Sequence, residues 1–147
     1  MSFWQHETLH ILVTLIVAIF AYWRYRKISL VIIVCLVGLC LDIDHIFDYL
    51  LAHANLKQLA TGEYFTISGK VYVLLHAWEW LIIWWGFILF ILPAIDKKPI
   101  HYDLAIVVTL AYLGHMLIDQ FSYQTQPETY FITFRILHNF NLKEIFR

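Results

Sequence analysis

The sequence predicts an all-α integral membrane bundle: four transmembrane helices followed by a C-terminal interfacial amphipathic helix, in one domain over residues 1–147. Three observations carry this. The 147 residues are 61% hydrophobic and only 14% charged, with a mean hydropathy of +0.69, whereas soluble domains are about a quarter charged. Four apolar runs are each about 18–23 residues long, enough to cross a ~30 Å hydrocarbon layer at ~1.5 Å per residue. Helix is required in such runs, because lipid offers no partner for a backbone N–H or C=O.

The first run extends from about Trp4 to Trp23, apolar almost without interruption from Leu9 to Tyr22. It is bracketed by Phe3 and Trp4 at one end and by Tyr22, Trp23 and Tyr25 at the other, the aromatic pattern of a membrane interface. Arg24, Arg26 and Lys27 end it. The second runs from about Ser29 to Leu51 and carries Leu41-Asp42-Ile43-Asp44-His45 and Asp48 in its second half. The third, from about Val71 to Leu92, is expected to stop at Pro93. The fourth covers about Leu104 to Phe121.

The first-to-second connection and the third-to-fourth one, Asp96-Lys97-Lys98-Pro99, are short. The stretch Ala52–Lys70 is long, with a turn signal at Thr61-Gly62-Glu63, and could act as a lid. The tail from Ser122 begins as a loop with Pro127 and then reads as an amphipathic helix with Tyr130, Phe134 and Leu137 at helical spacing. Cys35 and Cys40, five apart in one apolar run, fall on different helix faces, which argues against a disulfide or a thiolate metal pair. No cleavable signal pattern opens the chain. The net charge of −1 provides no basic field for nucleic acid.

The ionisable residues inside these runs share one side of the membrane. Four antiparallel spans place the starts of the first and third beside the ends of the second and fourth. His6, Glu7 and His10 lie at the start of the first; Asp42, Asp44, His45 and Asp48 toward the end of the second. His76 and Glu79 are near the start of the third, and His115 and Asp119 toward the end of the fourth. His6/His10 and His115/Asp119 are i,i+4 pairs; Asp42/His45 and His76/Glu79 are i,i+3 pairs. Each pair therefore occupies one helical face.

Imidazole and carboxylate on four helices of a bundle make a metal site. The ligand set is His10, Asp42, Asp44, His45, His76, Glu79, His115 and Asp119. His10 is preferred to His6 because it lies deeper. Eight ligands exceed what one zinc needs, so two or three divalent ions bridged by carboxylate are expected, zinc first, iron or manganese otherwise. Asp44 or Glu79 could instead be the general base. Asp44 sits about 200° around an ideal helix from Asp42, so it needs a local distortion or a different partner. Arg135 and His138, i,i+3 on the tail, are candidates for binding a headgroup phosphate.

The order of these motifs resembles that of the bacterial integral-membrane family described as predicted metal-dependent hydrolases, which includes a LexA-regulated inner-membrane protein and is distantly similar to zinc-dependent phospholipase C. The residues carrying the resemblance are His10, Leu41-Asp42-Ile43-Asp44-His45, Leu75-His76-Ala77-Trp78-Glu79 and Leu113-Gly114-His115-Met116-Leu117-Ile118-Asp119. Many relatives have His-Arg-Gly-x-Thr-His at the third motif, where this chain has His76 and Glu79 without an adjacent Arg or second His. The resemblance implies hydrolysis of a phosphoester or related bond in a membrane lipid or lipid-linked substrate.

Two other functions use the same residues: a membrane di-iron oxidase or hydroxylase, and a metal transporter or sensor. A soluble ferritin-like bundle is excluded by the lack of polar outer faces. Arg24, Arg26, Lys27, Lys97 and Lys98 are concentrated in two short loops. Their density favours those loops inside and the site near the outer face of a bacterial inner membrane.

Overall fold

The first run folds as one helix, α1 (Phe3–Tyr25). It ends where Arg26 takes a left-handed conformation (φ 54°) and donates its N–H to the Tyr22 carbonyl at 2.9 Å. The chain reverses within Arg26 and Lys27 and enters α2 (Ile28–Cys40). This computed structural model describes residues 3–61, 63–95, 102–123 and 126–145. The Asp96–Pro99 connection, His101, Gly62 and Arg147 lie outside them.

The second run is interrupted at Leu41-Asp42 and resumes as α3 (Ile43–Leu51). Asp42 has ψ −1°, and His45 N–H bonds the Asp42 carbonyl three residues back, at 3.1 Å. That local tightening offsets α3 from α2 at the start of the acidic stretch. The following stretch forms two short helices, α4 (Leu56–Thr61) and α5 (Tyr64–Ser68). The fourth run is α8 (Tyr102–Tyr123).

Three helical stretches are long and apolar enough to cross a membrane: Trp4–Tyr25, Ile28–Leu51 and Tyr102–Tyr123. No strand occurs among the described residues; one isolated bridge joins Lys70 and Asn141.

These three pack around Ala18, Ala21, Leu30, Val34, Val107 and Ala111. Small residues let the backbones approach, the usual means of helix association where lipid removes the hydrophobic drive. At Gly38 an added Cβ would strike the Thr14 side chain, and at Gly114 it would strike Val13. The outward faces expose Ile16, Ile19 and Ile32, a pattern for lipid rather than water.

The third run differs most from expectation. Residues 71–78 are not helical. Helix begins as α6 (Glu79–Gly86) and continues through a π-helical stretch (Phe87–Ile91) into α7 (Leu92–Ile95). Pro93 does not end it: the widened turn just before the proline accommodates its missing N–H. The apolar helix Glu79–Ile95 is 17 residues long, shorter than the other three.

The tail is not one amphipathic helix. It forms a 3₁₀ turn (Pro127–Tyr130), α9 (Ile132–Leu137) and α10 (Leu142–Ile145), folded back over residues 69–78. Trp78 N–H bonds the Tyr130 carbonyl at 2.9 Å, Val71 N–H that of Phe140 at 2.9 Å, and Leu142 N–H that of Gly69 at 3.0 Å.

Gly38→Ala should lower stability by about 1–3 kcal/mol through overpacking against Thr14. Thermal unfolding of the detergent-solubilised variant would register this as a lower midpoint, and an unchanged midpoint would contradict the packing described.

Candidate metal centre

Five imidazoles and two carboxylates converge at one end of the three-helix core. α1 contributes His6 and His10, one turn apart. Asp42 comes from the break after α2, and His45 from the first turn of α3. His76 comes from the non-helical segment, and α8 contributes His115 and Asp119. His6, His10, His76, His115 and Asp119 are all buried. Asp42 and His45 border the opening, with side chains 28% and 26% exposed.

Asp119 is the hub. Its Oδ1 lies 3.1 Å from His6 Nε2 and 3.0 Å from His10 Nε2. Its Oδ2 lies 3.3 Å from His76 Nε2 and 3.7 Å from His115 Nε2. One carboxylate thus faces two pairs of imidazoles with different oxygens, the disposition of a bridging ligand. Asp42 Oδ1 faces the second pair from the other side, 3.3 Å from His76 Nε2 and 3.4 Å from His115 Nε2, and stands 3.6 Å from His45 Nε2. His10 and His115 stack with centroids 3.8 Å apart.

The tautomers follow from the outer partners. His115 Nδ1 donates to the Gly38 carbonyl at 2.9 Å, which leaves its Nε2 a lone pair. His76 Nδ1 faces the Asp44 carboxylate, 3.1 Å from Oδ1 and 3.2 Å from Oδ2, so in the neutral ring its Nε2 is likewise a lone pair. Those two nitrogens are 3.1 Å apart. Acceptor faces acceptor, with carboxylate oxygens alongside, in an apolar interior. A proton could relieve one such pair, whereas a divalent cation relieves all of them together. Donors on one tetrahedral zinc, at ~2.0–2.1 Å, are about 3.3–3.4 Å from one another, which matches the spacing here. The groups His6/His10/Asp119, His10/Asp42/His115, His76/His115/Asp119 and Asp42/His45/His76 could each hold a metal ion.

Asp44 does not share this space. It holds His76 from behind, the carboxylate–histidine arrangement that orients a metal-binding imidazole, and its Oδ2 also accepts the Leu75 N–H at 2.6 Å. Tyr64 plays the corresponding part for His45, its hydroxyl 2.6 Å from Nδ1. Burial, and then the negative charge of Asp48, push the Tyr64 phenol above its ordinary range, so the hydroxyl keeps its proton.

Glu79 stands apart. Its Oε1 accepts the Thr133 N–H at 2.9 Å and the Thr133 hydroxyl at 3.0 Å. Helix begins only at Glu79, so His76 and Glu79 share no helical face and point to different places. Arg135 does not present a free guanidinium to a headgroup. It is buried and donates to the carbonyls of Tyr72 at 2.6 Å, of Val73 at 2.7 Å and of His76. His138 is turned into its own helix, with Nδ1 2.9 Å from the Phe134 carbonyl. Conversely, His6 joins the cluster together with His10, and its i,i+4 spacing was the signal for it. Nothing in sequence spacing marked Tyr64.

The segment that delivers His76 is itself held by buried side chains. Asp48 accepts the N–H of Tyr72 at 3.0 Å and of Val73 at 2.8 Å. The Tyr112 hydroxyl lies 2.6 and 2.7 Å from the Leu75 and Ala77 carbonyls and accepts the Ala77 N–H at 3.0 Å. Comparison of the chain with protein-family models, curated proteins and solved structures finds no match.

Asp44→Asn should weaken metal binding by about 10–100-fold, as expected for losing the carboxylate behind a ligating imidazole, whereas Glu79→Gln should leave it unchanged. Competition with a chromophoric chelator measures both. Equal losses in the two variants would contradict the separation of roles.

Proposed function

We propose that this chain is a membrane-embedded metal-dependent hydrolase. In this reading Asp119, His6 and His10 would hold one divalent ion, and Asp119, His76, His115 and Asp42 would hold a second. A third position lies at Asp42, His45 and His76. The single observation carrying it is the buried convergence of imidazole Nε2 atoms on both oxygens of Asp119. Zinc suits the imidazole-rich donor set, and bound metal lowers the pKa of a coordinated water so that hydroxide forms near neutral pH. Asp42, whose Oδ2 is not among the contacts to His45, His76 and His115, would take the water's proton at the opening; Asp44 and Glu79 are engaged elsewhere. The substrate is a phosphoester or related bond in a lipid or lipid-linked molecule, as the resemblance to predicted metal-dependent hydrolases implies.

The reading places four helices in the membrane, the fourth being the 17-residue Glu79–Ile95, which reaches about 25 Å at ~1.5 Å per residue. The tail lies at the interface, its exposed Ile136 and Leu137 toward the lipid and Arg135 inward. The site faces the outer side of a bacterial inner membrane, opposite Arg24, Arg26 and Lys27. Transport fits less well, because the apolar core around Ala18, Val34 and Val107 closes the bundle beyond the cluster.

The presence of five histidines favours one alternative, a di-iron oxidase or hydroxylase. Elemental analysis of the purified protein separates the two. The expected outcome is at least two zinc ions per chain, falling to one or none in Asp119→Ala. Full metal content in that variant would sink the shared site, and iron with an oxygen-responsive optical band would support the oxidase instead.

A further inference from the structure

A cavity of about 240 Å³ adjoins the cluster. Its cluster-side wall is His45, His76 and Asp119, with Tyr123 beside them; the Tyr123 ring is 4.9 Å from that of His6. The remaining wall is Phe65 and Thr66 of α5, Val71 and Val73, Tyr130, and Leu142 of α10. The cavity is therefore made where the Ala52–Lys70 connection and the tail close over the metal ligands. Among the described residues its lining contains no charged side chain outside the cluster. The buried Arg135 gives both terminal guanidinium nitrogens to the carbonyls of Tyr72, Val73 and His76.

A charged headgroup would meet no opposite charge there, only the hydroxyl-bearing Thr66, Tyr123 and Tyr130, and would lose most of its hydration, at a cost of several kcal/mol. A hydrocarbon would lose nothing. We propose that this cavity is the subsite for an uncharged hydrocarbon chain attached directly to the group the metals bind. The substrate is then a single-chain lipid-type molecule whose first carbons from the reacting group lie against Phe65, Val71 and Leu142. At about 30 Å³ per water-sized methylene, the volume takes roughly eight carbons. It lies below the ~300–1,000 Å³ of a site that encloses a drug-sized ligand. This rests on the metal-hydrolase reading and specifies its substrate.

The test uses the full chain in detergent, loaded with zinc, and two probe series: linear alkylphosphonates and linear alkylhydroxamates of one to twelve carbons. Both head groups ligate metal; only the first imitates a phosphoester. Affinity should rise up to about fourfold per methylene and level off near eight carbons. Micelle partitioning acts alike on every protein variant, so the comparison between variants decides. Thr66→Trp, at an exposed position of α5, should abolish most of the rise while leaving the one-carbon probes unchanged. Leu142→Ala should carry the rise to longer chains. Identical chain-length profiles in wild type and both variants would overturn the subsite, and one-carbon binding in the same experiment would leave the metal reading standing. Chain-dependent hydroxamate binding without phosphonate binding would uphold the subsite and overturn the phosphoester assignment. A chain that takes up no zinc would overturn both.

Discussion

The Nε2 atoms of His76 and His115 are 3.1 Å apart with the Asp119 and Asp42 carboxylates alongside, and in neutral rings both carry lone pairs that need a cation between them inside an apolar bundle. Each isolated buried charge costs several kcal/mol, and like groups in contact add to that. Water, which would moderate the repulsion elsewhere, is largely excluded by the burial of His10, His76, His115 and Asp119. The cluster is stable as a unit only around positive charge. Its outer contacts are consistent with this: the Gly38 carbonyl and the Asp44 carboxylate take the far nitrogens of His115 and His76 and turn the near ones inward.

That demand explains why the chain tolerates eight non-helical residues, 71–78, between apolar helices. Irregular backbone near membrane depth survives only where protein groups satisfy it. Here Asp48 and Asp44 accept its N–H groups, while Arg135 and Tyr112 serve its carbonyls. Val73, a β-branched residue at φ 27°, is held between Asp48 and Arg135 in a conformation costing on the order of 1–3 kcal/mol. The strain sits three residues from His76. Arg135, a headgroup candidate by sequence, is instead committed to the shape of the segment that presents a ligand.

The two ends of the bundle differ. Beyond the cluster the helices close on alanine and valine. On the near side Asp42 and His45 are partly exposed, and the short helices of the connection and the tail enclose an apolar space. The proposed hydrolase function rests on this pairing of a polar centre open on one side with an adjoining, mostly apolar cavity.

Much of this was legible in the sequence because helical spacing is a local rule. The apolar runs set three long helices, and the i,i+4 separations of His6/His10 and His115/Asp119 put both pairs on faces that do meet. The roughly 200° between Asp42 and Asp44 on an ideal helix left two outcomes open, a distortion or a different partner, and Asp44 takes the partner: it turns to His76 and the Leu75 N–H. Other roles depended on tertiary structure. The i,i+3 pairing of His76 with Glu79 fails because helix starts at Glu79, and where a helix starts depends on which distant side chains satisfy the backbone before it. Arg135 looked available because a sequence does not record that three carbonyls more than fifty residues away would converge on it. Tyr64 carried no spacing signal, since its partner His45 lies 19 residues away on another helix. Periodicity along one helix is written in neighbouring residues; the partner of a buried polar group is decided only when separate segments pack.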